Sequence, residues 1–253
     1  MAPRSNSTSR KSRSGWLLVA VAGLLSVPLA DAQAPAAGRG GPPQSPKAAA
    51  PIDLTGYWVS VITEEWRYRM VTPGPGDYLL IPMTLEAKSV ADAWDPAKDE
   101  AAGNQCKSYG AAGVMRLPER LHVTWQDDTT LRMDIDSGTQ TRLYHFGDWK
   151  APNGDATWQG DSLAQWERAG SLKITTTHLR GGYLRKNGVP YSENANLMEH
   201  YDVVHERNGE TWMIVTTTVR DPRYLRLPYI TAAQFKKEPD ASRWDPTPCS
   251  SRW

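Results

Sequence analysis

The 253-residue chain is poor in cysteine, histidine and phenylalanine, with two, five and two of each. Two cysteines are too few for a disulfide-stapled mini-scaffold. The five histidines never approach one another at ligand spacing: there is no HExxH, no His-x-His and no His-rich tract. Neither cysteine has a His or a second Cys at ligand spacing beside it, so no metal site is expected. A Gly-rich phosphate loop and a Gly-x-Ser-x-Gly nucleophile elbow are also missing, because Gly160-Asp161-Ser162 reads as part of a strand. Charge of one sign is lacking too. With 29 basic and 28 acidic side chains the formal net charge is +1, and the cations are interleaved with acids, as in Glu64, Glu65, Arg67 and Arg69. A nucleic-acid partner would need a clustered basic excess, so none is expected. Finally, no apolar run approaches the ~20 residues of a spanning helix.

The longest apolar run is Trp16–Leu29. It follows Arg4, Arg10, Lys11 and Arg13 and precedes Ala30-Asp31-Ala32. A positive n-region, a short h-region and a small-x-small site make residues 1–32 a secretory signal peptide rather than a stable membrane anchor. No twin-Arg pair precedes the h-region and no Cys follows it, so general export in an unfolded state is expected, without a lipid anchor. No cofactor inserted in the cytoplasm is expected either. Residues 33–51 are almost wholly Ala, Pro, Gly and a few polar residues. Such a stretch has too little apolar surface to offset ordering entropy and reads as a disordered linker. Residues 52–253 suffice for one domain with a developed core. After cleavage the protein is expected in the periplasm or outside the cell, where Cys106 and Cys249 would pair. That bridge closes a long loop and is worth about 4–5 kcal/mol in the chain-entropy treatment.

From residue 118 to 220, turn signals recur between β-rich runs: Asp127-Asp128, Asp136-Ser137-Gly138, Asn153-Gly154, Ala169-Gly170, Asn187-Gly188 and Asn208-Gly209. Asn-Gly supplies the positive φ angles of a tight hairpin. The runs between them are 120–126, 129–136, 139–146, 157–167, 171–180, 197–206 and 211–220, with 54–62 and 65–71 before them. Leu131, Met133 and Ile135 alternate with Arg132, Asp134 and Asp136, the mark of a sheet with one buried face. One helix is predicted over 84–94, with Leu85, Val90, Ala91 and Trp94 on its apolar stripe and Asp95-Pro96 ending it. About nine strands joined by short hairpins predict an all-β fold with a minor helix, an antiparallel meander closing into a lipocalin-like β-barrel. An immunoglobulin-like sandwich is the competing architecture.

Gly56-Tyr57-Trp58 resembles the Gly-x-Trp opening of lipocalins, in which the Trp closes the barrel floor against an Arg of the last strand. Arg220, at the end of the last predicted strand, is the partner this resemblance implies. Residues 53–249 also resemble an uncharacterised group of exported proteins of Gram-negative bacteria. The segments that carry this resemblance are Thr157–Ser162 with Trp166-Glu167, Thr176–Arg180, Gly182–Pro190 with Ser192 and Glu199, and Asp221-Pro222 with Tyr224-Leu225 and Pro228. It implies a shared fold and an exported location, and no activity.

The candidate chemistry follows from the strand faces. His178 ends a strand just before Arg180, Gly181 and Gly182, where it is either an acid/base group at a barrel mouth or a bonder of a turn carbonyl. Arg185 is close enough in sequence to reach the same mouth. Glu199 shares a face with Leu197, Tyr201 and Val203, which would bury it. It is then a tuned acid or base, or one half of a buried ion pair with Arg142 or Arg67. His145 is a similar candidate beside Leu143. Trp158 and Trp166 are predicted on one face with Gly160, Ser162 and Ala164, either as walls of a groove or as core packing.

Three functions follow. The first is a binding module for a small apolar or aromatic molecule, with Trp158, Trp166 and Tyr201 as walls and Arg142 or Arg185 as polar grips. The second is a cofactor-free lyase, isomerase or hydrolase using His178, Glu199 or His145. The third is a structural envelope protein with a filled barrel.

Overall fold

The structure is a computed structural model that describes residues 44–251. The expected signal peptide and most of the expected linker lie outside the described residues. Eleven strands are present: β1 (Gly56–Val61), β2 (Arg120–Trp125), β3 (Thr130–Ile135), β4 (Gln140–Phe146), β5 (Asp161–Trp166), β6 (Leu172–Thr177), β7 (Gly182–Arg185), β8 (Val189–Tyr191), β9 (Asn196–His205), β10 (Thr211–Arg220) and β11 (Tyr229–Glu238). Four short helices accompany them: α1 (Trp66–Arg69), α2 (Leu85–Asp92), α3 (Pro96–Ala101) and α4 (Ala111–Val114). Among the described residues no helix is long and apolar enough to cross a membrane.

Nine strands close into a barrel in the order β1-β11-β10-β9-β6-β5-β4-β3-β2, while β7 and β8 form a separate two-stranded sheet. The all-β expectation holds, and closure rules out the sandwich. The nine-strand count imposes one departure from a pure meander. A ring in which every neighbour runs oppositely needs an even number of strands, so a ring of nine must contain one parallel pair. That pair is β4 and β5, with Tyr144 opposite Ser162 and Phe146 opposite Ala164. The chain between them, 147–160, returns from one end of the barrel to the other. Gly160 ends this return at φ 61, where a Cβ would lie 2.5 Å from the Thr177 carbonyl.

The two barrel ends are built differently. At the floor, β2–β3, β5–β6 and β9–β10 are joined by tight turns. At the other end, 62–119, 178–195 and 221–228 all emerge between strands and fold into a cap holding α1–α4 and the β7–β8 hairpin. Alternating inward side chains fill the barrel: Trp58, Leu121, Met133, Tyr144, Leu172, Ile174, Tyr201, Met213, Val215 and Phe235 are all buried in one cluster. A second cluster lies in the cap, where Ala87 and Ala91 of α2 sit with Val189 and Tyr191 of β8. The Cys106–Cys249 disulfide joins the cap to the C-terminal tail that follows β11, with Cα atoms 5.1 Å apart.

Several expectations need correction. Residues 65–71 form α1 and its flanks rather than a strand, since Glu65 adopts φ 48 and the next residues bond back as a helical turn. The α2 helix exists, capped by the Thr84 hydroxyl accepting from Ala87 N–H, but it buries Ala87 and Ala91. Leu85 is 85% exposed, because only side chains the size of alanine let the helix approach β8 so closely. The expected linker is partly ordered: residues 44–51 turn against the floor, where Lys47 N–H donates to Asp128 O and Trp166 Nε1 to Pro46 O. The last strand is β11, not β10. Arg220 is exposed, and the cation over Trp58 is Lys237 of β11, 5.2 Å from the ring centroid, while Trp58 Nε1 donates to Leu54 O.

Candidate ligand clefts and the buried polar pair

Inside the upper barrel lies a polar cluster. Arg142 on β4 and Glu199 on β9 face each other with no exposed side-chain surface, through two hydrogen bonds of 2.9 and 2.6 Å. Tyr201 Oη donates to Glu199 Oε1 at 3.3 Å and lies 2.9 Å from Tyr144 Oη. The hydroxyls of Ser162 and Thr176 bond each other at 2.8 Å beside Arg142. Burial alone would push the Arg142 guanidinium toward neutrality. The Glu199 charge, with the two tyrosines, outweighs that and holds it firmly protonated. Burial, then the Glu199 charge, pushes the Tyr201 phenol well up. The structure thus brings Arg142, Glu199 and Tyr201 together, as a bidentate pair that occupies both terminal guanidinium nitrogens and both carboxylate oxygens and leaves Arg142 Nε buried without a partner.

The other predicted residues lie apart. His178 is exposed, at φ 54 where β6 turns into the cap, and its Nδ1 lies 2.8 Å from Asp161 Oδ2. His145 stacks on Trp149 with centroids 4.0 Å apart, and burial lowers its pKa against the charges of Asp127 and Asp161. Trp158 and Trp166 do not share a face, because β5 starts only at Asp161. Trp158 belongs to the returning segment, with Arg180 over its ring at 4.5 Å and Nε1 donating to Gly181 O. Trp166 packs at the floor with Phe146 and Trp125. Arg185 lies in the cap, where it donates from Nη1 to Leu79 O. Among the described residues no three His, Cys, Asp or Glu side chains gather to hold a metal ion.

The cap carries an apolar cleft of about 600 Å³, lined by Tyr78, Leu79, Ile81, Met83 and Leu85, with Asp77, Lys88 and Arg226 as its charged groups. Its shape depends on the segment between α1 and α2. Asn187 Nδ2 donates to the carbonyls of Gly74 and Asp77, Arg185 donates to Leu79, and Arg226 N–H donates to Pro82 O. The hairpin turn behind it is fixed by Gly188, at φ 82 and so near Trp94 that a Cβ would meet the ring at 2.3 Å. Tyr78 Oη donates to Asp92, which also accepts from Lys88.

Among the described residues, nine of the eleven exposed large apolar side chains sit on the cap end: Trp66, Met70, Val71, Leu79, Leu80, Leu85, Val90, Leu227 and Ile230. Exposed apolar surface gathered on one face marks an interaction site more often than scattered residues do. Here it adjoins the cleft.

Sequence reasoning singled out Arg185, and Leu85 only as part of a helical stripe, but not Tyr78, Leu79, Ile81 or Met83 of the cap cleft. It also missed Glu119, fully buried just before β2, both of whose carboxylate oxygens lack a hydrogen-bond partner. Burial, reinforced by the charge of Asp136, raises its pKa well above the usual range, while Arg69, Arg142 and Lys186 pull the other way. Lys186 is pushed down to about 7 by burial, against the Glu119 charge. The one available signal was compositional: apolar residues at 78–85 without strand periodicity.

Comparison of the chain with protein-family models, with curated proteins and with solved structures finds no match.

Proposed function

We propose that this protein is an exported binding module for a small apolar or aromatic molecule, and that its site is the cap cleft rather than the barrel lumen. The observation that carries this reading is the cleft of about 600 Å³ walled by Tyr78, Leu79, Ile81, Met83 and Leu85. A concave, mostly apolar wall with a few charged groups at its edge is the usual form of a small-molecule site. Lys88 and Arg226 favour a ligand with an acceptor or a negative end. The lumen has less to offer, since both terminal nitrogens of Arg142 are spent on Glu199 and the Tyr201 hydroxyl on Glu199 and Tyr144, and apolar side chains fill the rest. Export draws support from the Cys106–Cys249 bridge, which persists in oxidising compartments such as the periplasm or the cell exterior. The cofactor-free enzyme draws less support: Glu199 is held by Arg142, His145 lies on β4 against Trp149, and His178 lies past the end of β6 beside Asp161.

The test is fluorescence titration of the processed protein with N-phenyl-1-naphthylamine, an apolar aromatic probe. Saturable one-to-one binding is expected. Leu79→Glu and Leu85→Glu, both at exposed positions, should weaken it at least tenfold while leaving the fold intact. Leu163→Glu on the barrel wall should leave it unchanged. Equal binding by all four proteins overturns the assignment.

A further inference from the structure

A second cleft lies in the cap, between α1, the residues after α4 and the β7–β8 hairpin. It is small, about 20 Å³, and four of its lining side chains are basic: Arg69, Arg116, Arg185 and Lys186. Arg69 and Arg185 are only 6% and 5% exposed. Each spends one nitrogen on a backbone carbonyl, Arg69 Nε on Arg116 O at 3.0 Å and Arg185 Nη1 on Leu79 O at 3.1 Å. The remaining guanidinium nitrogens are buried without a partner: Nη1 and Nη2 of Arg69, and Nε and Nη2 of Arg185. Tyr68, Thr72 and Ser108 complete the polar lining, with the Arg185 guanidinium 4.5 Å above the Tyr68 ring.

Four buried N–H-bearing nitrogens on two forks are an expensive arrangement unless something accepts from them. The nearby acids do not serve. Glu65 is taken by Arg116. Glu119 bonds neither fork, and its surroundings push it toward the neutral acid. Burial, then the neighbouring Arg116 charge, lowers the Arg69 pKa, and the charges of Glu119, Glu64 and Glu65 offset this only in part; none of the three bonds the free nitrogens of Arg69. A planar guanidinium fork matches the spacing of two oxygens on one carboxylate or phosphate. A volume of this size admits one or two water-sized atoms, enough for the oxygens of a single small group.

We propose that this cleft is a binding site for one oxyanion, a carboxylate or phosphate group, held by the free forks of Arg69 and Arg185 with Arg116 and Lys186 supplying positive potential. The site is independent of the apolar cleft. The two nevertheless meet at Arg185, which lines one and holds the Leu79 carbonyl of the other. The anion therefore has two sources: a free ion, or the head of a longer apolar molecule.

Calorimetric titration of the processed full-length protein at constant ionic strength separates these, with inorganic phosphate, acetate, dodecyl phosphate and dodecanoate as probes. Saturable binding of phosphate or acetate, weakened at least tenfold in Arg69→Gln and in Arg185→Gln, is the expected result. Dodecyl compounds binding tenfold tighter than their free head groups identify the head of an amphiphile; equal affinities identify a free ion. Should either glutamine variant fail to fold, crystals of the unaltered protein soaked in selenate give a second measurement. Anomalous density is then expected within hydrogen-bond reach of both guanidinium groups. No titratable binding and no anomalous peak, or an ordered water alone between the forks, overturns the proposal.

Discussion

The barrel and its cap bury polar groups in opposite ways. In the barrel, Arg142, Glu199, Tyr201, Tyr144, Ser162 and Thr176 form a network in which the carboxylate and the facing guanidinium nitrogens bond one another. In the cap, Arg69, Arg185, Asn187, Tyr191 and Glu119 all leave buried atoms unbonded, beside an apolar cleft and most of the exposed large apolar side chains. Arg142 Nε is the one atom of the barrel network left buried and unbonded, against two on each of Arg69, Arg185 and Glu119 in the cap. A nearly satisfied network specifies one interior and rigidifies it, whereas unspent donors and open apolar surface are what a ligand completes. The barrel is close to complete without a partner. The cap is not.

The largest effect should come from cutting the covalent tie between cap and tail. Cys106→Ser with Cys249→Ser releases a loop spanned by a separation of 143 residues and should cost about 4–5 kcal/mol in urea unfolding. A loss below about 1 kcal/mol would show that the cap and the C-terminal tail stay docked without it. Next comes the barrel pair. Arg142→Met leaves Glu199 buried without its counter-ion and should cost about 3–5 kcal/mol. Adding Glu199→Met removes the stranded charge and should recover most of that loss. A double variant as unstable as the single one would show that geometry, not charge compensation, makes the pair matter.

A smaller effect distinguishes the cap by its titration. Lys186 has a folded pKa lowered to about 7 by burial, with Glu119 pulling the other way and the Tyr109 ring 4.9 Å from Nζ. Above that pH the unfolded chain holds a proton the folded chain has released, so unfolding free energy should rise with pH from about 7 to about 9, by at most ~1.4 kcal/mol per pH unit. Lys186→Met should flatten the rise. Glu119 carries the opposite sign: its raised folded pKa means stability falls as pH climbs above the unfolded carboxyl value, and Glu119→Gln should stabilise the protein at pH 7 by about 1–3 kcal/mol. Denaturant melts across this pH range in the three proteins check both.

The barrel was largely legible because its strands announce themselves locally. Leu131, Met133 and Ile135 alternate with polar residues, and Asn208-Gly209 sits between two long runs that do pair as β9 and β10. Strand β11 escaped notice because its inward positions, Tyr229, Thr231, Ala233, Phe235 and Lys237, include small and charged side chains that break the apolar alternation. With it went the partner of Trp58, so a floor cation was sought at Arg220 instead of Lys237. The Glu199–Arg142 pairing was readable as one of two options, since a carboxylate on an apolar strand face must be either tuned or paired. The cap was not readable. Arg69 and Glu119 stand 50 residues apart at the two ends of one excursion, and they meet Lys186 only because a second excursion from the same barrel end folds against it; no local pattern encodes that meeting. Trp158 and Trp166 misled for the converse reason: even spacing put them on one face, but the turn at Gly160 breaks the strand between them.

The contrast between a nearly complete barrel and an incomplete cap is tested most directly by methyl NMR of the processed protein, with 13C-methyl methionine, titrated with N-phenyl-1-naphthylamine. Met83 lines the apolar cleft, whereas Met133 and Met213 are buried in the barrel cluster. A saturable shift of the Met83 methyl with Met133 and Met213 unmoved is the predicted result. Shifts at Met133 and Met213 with Met83 unmoved would place the ligand in the lumen and contradict the account.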